Sequence, residues 1–369
     1  MRITDVTATR VPLPAQKIAP TWNSIVQQER SDGARQRYAT RLEVRTDEGI
    51  TGYGFESDAT VLGRLRDHMI GQDPLSAEAC WDRMYAHNRK PVAKGEYIAS
   101  IGKLDVALWD LRGKALGQPV WRLLGGHRNR LPIYGAGGYY GEGKGLRELA
   151  AEMEGIVAAG YRAVKMKVAW PGAGLKLDAE RVRAVREAVG PDVDVMVDAN
   201  NGWDFNDALR FGRMIEKCEP YWFEEPIKPD DYRGQAALCA ALDTPVASGE
   251  NEFTRWGFRD LIEPRAVDVV QADARTCGGI TEWLKIAAFA SAYHLPMAPH
   301  GNVYAGANCV AAVSNGLIVE YRPRLEQDHS HDLYDPPTVE DGHITLPDAP
   351  GLGVPWREDL IKRLLADAS

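Results

Sequence analysis

Seven successive short apolar runs end in side chains that could do acid–base or metal chemistry. Lys165 and Lys167 lie in "RAVKMKVAW", Asp198 closes "VDVMVDA", and Glu224 and Glu225 close "YWFEE". Glu250 closes "TPVASGE", Asp273 closes "AVDVVQAD", His300 closes "LPMAPH" and Glu320 closes "GLIVE". Strand side chains alternate with a period of two, so Lys165 and Lys167 share a face. Two ammonium groups on one buried face repel each other and lose hydration, so a counter-charge is expected opposite them. Asp198, Glu224 and Glu250 would repel one another equally. A hard divalent cation resolves that, and oxygen-only ligation favours Mg²⁺ or Mn²⁺ over zinc. Three unrelated surface acids would give the same spacing. His300 has a structural reading too, but Asp273 on the neighbouring run would fix its tautomer and raise its basicity. Lys167 reads as a general base whose pKa is lowered by burial, by the metal and by Lys165.

These side chains need strands whose ends converge. From about residue 131 apolar runs alternate with amphipathic helical patterns such as 146–159, 178–189, 205–217 and 281–293. Eight runs, beginning with "LPIYGA" at 131–136, argue for a parallel (β/α) barrel, whose strand ends meet on one face. A doubly wound open sheet shares the alternation. Before residue 90 the order is strands then helices. "MRITDVTATRVPL" and "RYATRLEVRTDEGITGYGF" read as antiparallel strands, the second turning at Asp47-Glu48-Gly49. Helices are expected over 74–90 and 100–116, the latter stopped by Gly117 and Pro119. The polar segment 14–38 reads as a functional or disordered loop. The expected division is an α+β domain over 1–125, the barrel over 126–332 and a Pro/Gly-rich segment, 333–369, returning to the first domain.

Composition removes several alternatives. The chain has 369 residues and a net charge of −8 with no long basic run, which argues against a nucleic-acid partner. No apolar stretch is long enough to span a bilayer, and the N-terminus lacks a signal-peptide core. Five scattered cysteines suit the cytoplasm better than a disulfide framework. "GYYGEGKG" (138–145) nearly spells a phosphate-binding loop, but Gly145 stands where a hydroxyl is needed, so it reads as a flexible βα loop. "DHSHD" (328–332) reads as a polar loop rather than a metal site.

The order and spacing of the motifs resemble the enolase superfamily, in its mandelate-racemase-like subgroup, over essentially the whole chain. The carriers are "ALWDLRGKALGQPVWRLLGG", the K-x-K of "VKMKV", "VDAN", "FEEP", "SGEN", "QADARTCGGITEW", "APHG" and "LIVE". The resemblance implies a modified (β/α)7β barrel capped by the N-terminal domain, with 14–38 and about 54–62 as specificity loops. It implies Asp198, Glu224 and Glu250 as Mg²⁺ ligands, Lys167 as base on one substrate face, and Lys165 as a holder of the substrate carboxylate. It implies His300, with Asp273, as acid/base on the other face, Glu320 as a hydrogen-bond partner of the enolate-side carboxylate, and Asn200 as a substrate contact. The dyad positions argue against the muconate-lactonising subgroup, which carries a lysine on strand six.

The implied chemistry is abstraction of the proton α to a carboxylate, giving an enediolate stabilised by the metal, Lys165 and Glu320. Dehydration of a polyhydroxylated sugar acid, an aldonate or aldarate, to a 2-keto-3-deoxy acid is the favoured outcome. "GENEFTRWGFRDLI" and "GGITEW" look more like acid-sugar dehydratases, and the loop carrying Gln27, Gln28, Arg30, Arg35, Gln36 and Arg37 suits a hydroxylated substrate. Trp22 in the same loop is a candidate substrate contact that keeps racemisation or epimerisation of a 2-hydroxy acid open. A non-catalytic scaffold should have lost a ligand or base, and none is missing. Barrel relatives suggest a homo-oligomer.

Overall fold

The computed structural model describes residues 1–16, 21–23, 35–55, 59–87, 93–321 and 333–367. The chain begins with β1 (Ile3–Gln16), β2 (Thr21–Trp22), β3 (Arg35–Thr46) and β4 (Thr51–Phe55). β1, β3 and β4 form an antiparallel sheet, and the β3–β4 turn falls on Asp47-Glu48-Gly49 as the sequence predicts. Helices α1 (Ala59–Met69), α2 (Ala77–Ala86), α3 (Glu96–Ala115) and the single turn α4 (Val120–Leu123) follow. The predicted stripe Ile101, Leu104, Leu108 and Leu111 is fully buried on α3, which starts four residues earlier than its periodicity alone indicated. The cap has its own apolar core, drawn from β1, β3 and α1–α3.

The second part runs β5 (Arg130–Ala136), β6 (Tyr140–Gly141), α5 (Leu146–Ala158), β7 (Ala163–Lys167), α6 (Gly174–Val189), β8 (Asp194–Asp198) and α7 (Phe205–Ile215). It continues with β9 (Trp222–Glu224), α8 (Tyr232–Ala241), β10 (Val246–Ser248), α9 (Thr254–Ile262), β11 (Val269–Val270), α10 (Ile280–Ala292), α11 (Val303–Ala312) and β12 (Val319–Tyr321). β5, β7, β8, β9, β10 and β11 pair in parallel in that order, and β12 pairs with β5. Met297 bridges to Val270 on one side and Gly316 on the other, which closes the ring. The barrel, not the open sheet, is therefore the architecture. The predicted strand 295–300 survives only as the Met297 bridge, because Pro296 and Pro299 beside it carry no N–H for a ladder.

The Pro/Gly-rich end is more than a connector. β13 (His343–Thr345) pairs antiparallel with β5, and α12 (Glu358–Ala366) packs on the cap. Leu333 and Ile361 join Val11, Leu13 and Ala39 in one apolar cluster there. The cap meets the barrel chiefly through α2 and α3. Trp81 Nε1 donates to the Gly278 carbonyl at 2.7 Å, and Trp109 Nε1 to Thr281 Oγ1 at 2.9 Å. Asp105 accepts from both the backbone N–H and the hydroxyl of Thr281, each at 2.8 Å. Among the described residues no helix is long and apolar enough to cross a membrane. All five cysteines are free thiols.

Candidate active site

The barrel's interior floor is apolar: Ala163, Met196, Trp222, Val269, Ala298 and Ile318 cluster there with Tyr134. One pleat further up each strand, two residues on, stand Lys165, Asp198, Glu224, Gln271, His300 and Glu320. Lys167 and Asp273 lie one pleat higher still on their strands. Alternation alone therefore delivers these side chains to one end of the ring. Glu250 breaks the parity. It sits three residues beyond the interior residue Ala247, and Gly249 between them, at φ +132°, turns the chain inward. A Cβ at Gly249 would lie 2.9 Å from the Phe258 ring, so glycine is required there for space as well as for φ.

Register sets the neighbours. Lys167 pairs with Asp198, and Asp198 with Glu224, on adjacent strands. Lys165 Nζ lies 2.5 Å from Glu224, 3.1 Å from Glu320 and 3.7 Å from Asp198. Lys167 is paired with Asp198. Trp222 Nε1 donates to the second oxygen of Glu224 at 2.9 Å. Asn200, at φ +41°, donates its backbone N–H to Asp198 at 2.8 Å and accepts from Asn23 at 3.0 Å. Asn23 was not singled out in the sequence. It is a buried residue of the 14–38 segment and ties the cap to the barrel mouth. The backbone of Trp22 pairs with Tyr140, but its side chain lies outside the described residues, as do most of 14–38 and all of 328–332.

On the other side His300 Nδ1 lies 3.0 Å from Asp273, the predicted dyad. Its Nε2 lies 3.4 Å from Glu250 and 3.8 Å from Glu320. Glu320 also accepts the backbone N–H of Gly301 at 3.0 Å. Arg275, another residue missed in the sequence, donates three hydrogen bonds to Asp273. The 138–145 loop is not loose. Gly141 and Tyr140 pair with β2, and the Tyr140 hydroxyl donates to buried Asp178.

The chain's own charges act on Lys167 in both directions. Burial and Lys165 do act to lower Lys167, but Asp198 and Tyr139 outweigh them, and Lys167 stands above its ordinary value. Burial would also lower Lys165, yet Glu224 and Glu320 hold it well above the usual range. Burial works against the Asp198 carboxylate, but the two lysines together hold it low. Glu224 is pushed up to about 7 by burial and by Asp198, despite Lys165. Burial works against Asp273 as well, and Arg275 and His300 overcome it, keeping that carboxyl well below the usual range.

The three predicted ligands do not form a closed triad. Among the described residues no three of His, Cys, Asp and Glu stand close enough together to hold a metal ion. The reason is visible in the pairing: ammonium groups neutralise Asp198 and Glu224, while Glu250 faces His300. Even so, the donors fit a hard cation. They are all carboxylate oxygens from consecutive strand ends, and Glu250 Oε2 is buried without a hydrogen-bond partner.

Comparison with known proteins bears on the whole chain. Residues 15–125 match the mandelate racemase / muconate lactonizing enzyme N-terminal domain, and residues 148–360 the family described as enolase C-terminal domain-like. The chain is 36% identical over 332 residues to an arabinonate dehydratase of Saccharolobus solfataricus, covering 87% of this chain and 88% of the relative. It is 31% identical over 340 residues to a D-galactarolactone cycloisomerase of Agrobacterium fabrum, covering 87% and 89%. A crystal structure of a racemase from Streptomyces coelicolor with bound magnesium superposes with a TM-score of 0.85 at 28% identity, over 98% of this chain and 99% of that one. An L-talarate/galactarate dehydratase mutant liganded with Mg and L-glucarate gives a TM-score of 0.84 at 29% identity, over 98% and 91%.

Proposed function

The chain belongs to the mandelate racemase / muconate lactonizing enzyme family of the enolase superfamily, and on that footing we propose that it dehydrates a sugar acid to a 2-keto-3-deoxy acid. The observation that carries this reading is the pair of proton-transfer groups flanking one carboxylate cluster: Lys167 on one side, His300 with Asp273 on another. The named dehydratases among the relatives support the direction of the chemistry. In this reading residues 1–125 cap the barrel of 126–332, and 333–369 return to the cap.

Asp198, Glu224 and Glu250 would hold Mg²⁺, which would supply Lewis-acid charge to the substrate carboxylate. Lys165, 3.1 Å from Glu320, and Glu320 as the neutral acid donating a hydrogen bond, hold the carboxylate oxygens on which charge develops as the α-proton leaves. Lys167 takes that proton as the neutral amine, so the ammonium that Asp198 stabilises must first lose its own proton to solvent. His300, its Nδ1–H held by Asp273, acts as the imidazolium: Nε2 gives its proton to the departing β-hydroxyl, which leaves the ring neutral with Nδ1–H alone. Asn200 orients the substrate beside Asp198. Return of the proton to the α-carbon by the opposite group would give the alternative, racemisation or epimerisation.

A screen of aldonates and aldarates with Mg²⁺, read out by semicarbazide trapping of keto acid, tests the reading. Turnover abolished by EDTA and restored by Mg²⁺ is expected. Re-isolated substrate carrying α-deuterium from D₂O, with no keto acid formed, would favour the racemase. No turnover of any sugar acid would count against both.

A further inference from the structure

Three of the four or so acceptor sites that a carboxylate offers are taken, at Asp273, by a single neighbour. Arg275 donates its backbone N–H to Oδ1 at 2.7 Å, Nε to Oδ1 at 3.3 Å and Nη2 to Oδ2 at 3.0 Å. His300 Nδ1 meets the same Oδ2 at 3.0 Å. The turn that brings Arg275 back onto Asp273 is held from both sides. A Cβ at Gly301, next to His300, would lie 2.2 Å from Asp273 Oδ2 and 2.4 Å from Arg275 Nη2. A Cβ at Gly102 of α3 would lie 2.6 Å from the Arg275 carbonyl oxygen and 2.8 Å from that of Ala274. The cap helix and the His300 loop thus close on the arginine–aspartate pair with no spare room.

This arrangement decides which nitrogen of His300 works. Asp273 is 3% exposed, and the three hydrogen bonds from Arg275 fix the direction in which its carboxylate faces. A carboxylate free to turn away from Nδ1 would leave the neutral imidazole free to carry its one proton on Nε2. An ionised, acceptor-only carboxylate permits one arrangement: the N–H on Nδ1 and a lone pair on Nε2. Nε2 is the nitrogen that faces Glu250 and Glu320.

We propose that Arg275 is a positioning residue for proton transfer by His300, fixing the plane of the Asp273 carboxylate so that the imidazole, whenever it is neutral, keeps its proton on Nδ1. The consequence for turnover rests on the sugar acid dehydratase reading; the consequence for the tautomer does not. Outer partners that orient a working group are commonly worth ten- to a hundredfold in activity.

The test uses the full chain with Mg²⁺, as wild type, Arg275→Gln and Arg275→Lys. Histidine ¹⁵N spectra are recorded at pH 9, above the ordinary histidine range. His300 is identified by the signals lost in His300→Asn. Wild type is expected to show Nδ1–H alone, Arg275→Gln a mixture with at least a tenth as Nε2–H, and Arg275→Lys a return towards wild type. An unchanged Nδ1–H tautomer in Arg275→Gln, or Nε2–H in wild type, overturns the proposal. With any sugar acid that wild type dehydrates, Arg275→Gln should lower kcat ten- to a hundredfold with KM within threefold. α-Deuterium exchange on the face served by Lys167 should persist. If wild type turns over no sugar acid, the function reading fails, and the tautomer measurement still decides the role of Arg275.

Discussion

Gly301→Ala puts the geometry of the dyad to a quantitative test. Gly301 sits at φ +96°, where an L side chain is strained by about 1–2 kcal/mol. Its new Cβ would also lie 2.2 Å from Asp273 Oδ2, whereas ordinary contact starts near 3.4 Å. The carboxylate or the His300 loop must therefore give by about 1.2 Å, the difference between those distances. A misplacement of about 1 Å at reacting groups costs on the order of 100-fold in rate. The backbone strain alone should lower Tm by only about 1–4 °C in a chain of this size. The control is Gly190→Ala, at φ +80° with nothing within 4 Å of the new Cβ. It carries a comparable backbone cost without the clash. Semicarbazide-trapped turnover and thermal melts of both variants decide the matter. A small fall in Tm in Gly190→Ala, a larger one in Gly301→Ala because the clash adds to the backbone strain, and kcat reduced about 100-fold in Gly301→Ala alone are expected. Near-normal kcat in Gly301→Ala would refute the inference that the Asp273–His300 contact sets the rate.

Three further outcomes are expected. Lys167→Ala and His300→Asn should each lower kcat by orders of magnitude (general acid–base catalysis contributes about 10²–10⁴-fold), with circular dichroism unchanged; near-normal turnover in both would remove them from the mechanism. Trp222→Phe removes the donor to Glu224 and leaves a buried carboxylate oxygen without that bond. Mg²⁺ affinity by calorimetry should weaken about 10–100-fold, and stability should fall by about 1–3 kcal/mol. Asp273 has a folded pKa below its unfolded value of about 3.9, so its contribution to stability is present above that pH and is lost as the pH falls through the folded pKa. The stability gap between metal-free wild type and Asp273→Asn, from urea midpoints, should accordingly shrink below about pH 4; a gap that widens in acid would reverse the sign.

Much of this site was legible because a strand has a two-residue period. Once Lys165 is placed inward, Lys167 follows, and apolar interior residues such as Ala163, Met196 and Ala298 announce what stands two positions on. Glu250 was found as an acid after an apolar run, but its parity depends on a positive φ at Gly249 that no periodicity encodes. Arg275 was out of reach for a similar reason: "DAR" does not say that the turn after Asp273 folds back on itself. The raised pKa of Lys167 depends on which acid it meets, and only strand register names Asp198. α11 escaped notice because it is buried on every side, so its sequence carries no amphipathic period. β13 was hidden by the prolines and glycines around it, which mark turns but say nothing of the three residues between them.

The apolar cluster that joins Val11, Leu13 and Ala39 to Leu333 and Ile361 bears on how the protein is made. Synthesis runs from the N-terminus, and domains commonly fold in that order as they emerge. Here the first strand of the cap depends on the last helix of the chain, with Arg41 of β3 also paired to Glu358 at 2.6 Å. The cap therefore cannot finish folding on the ribosome while the barrel is being translated. The cap is completed only once the segment that follows the barrel has been made, and a nascent chain halted before Leu333 would leave β1 with the face of Val11 and Leu13 uncovered.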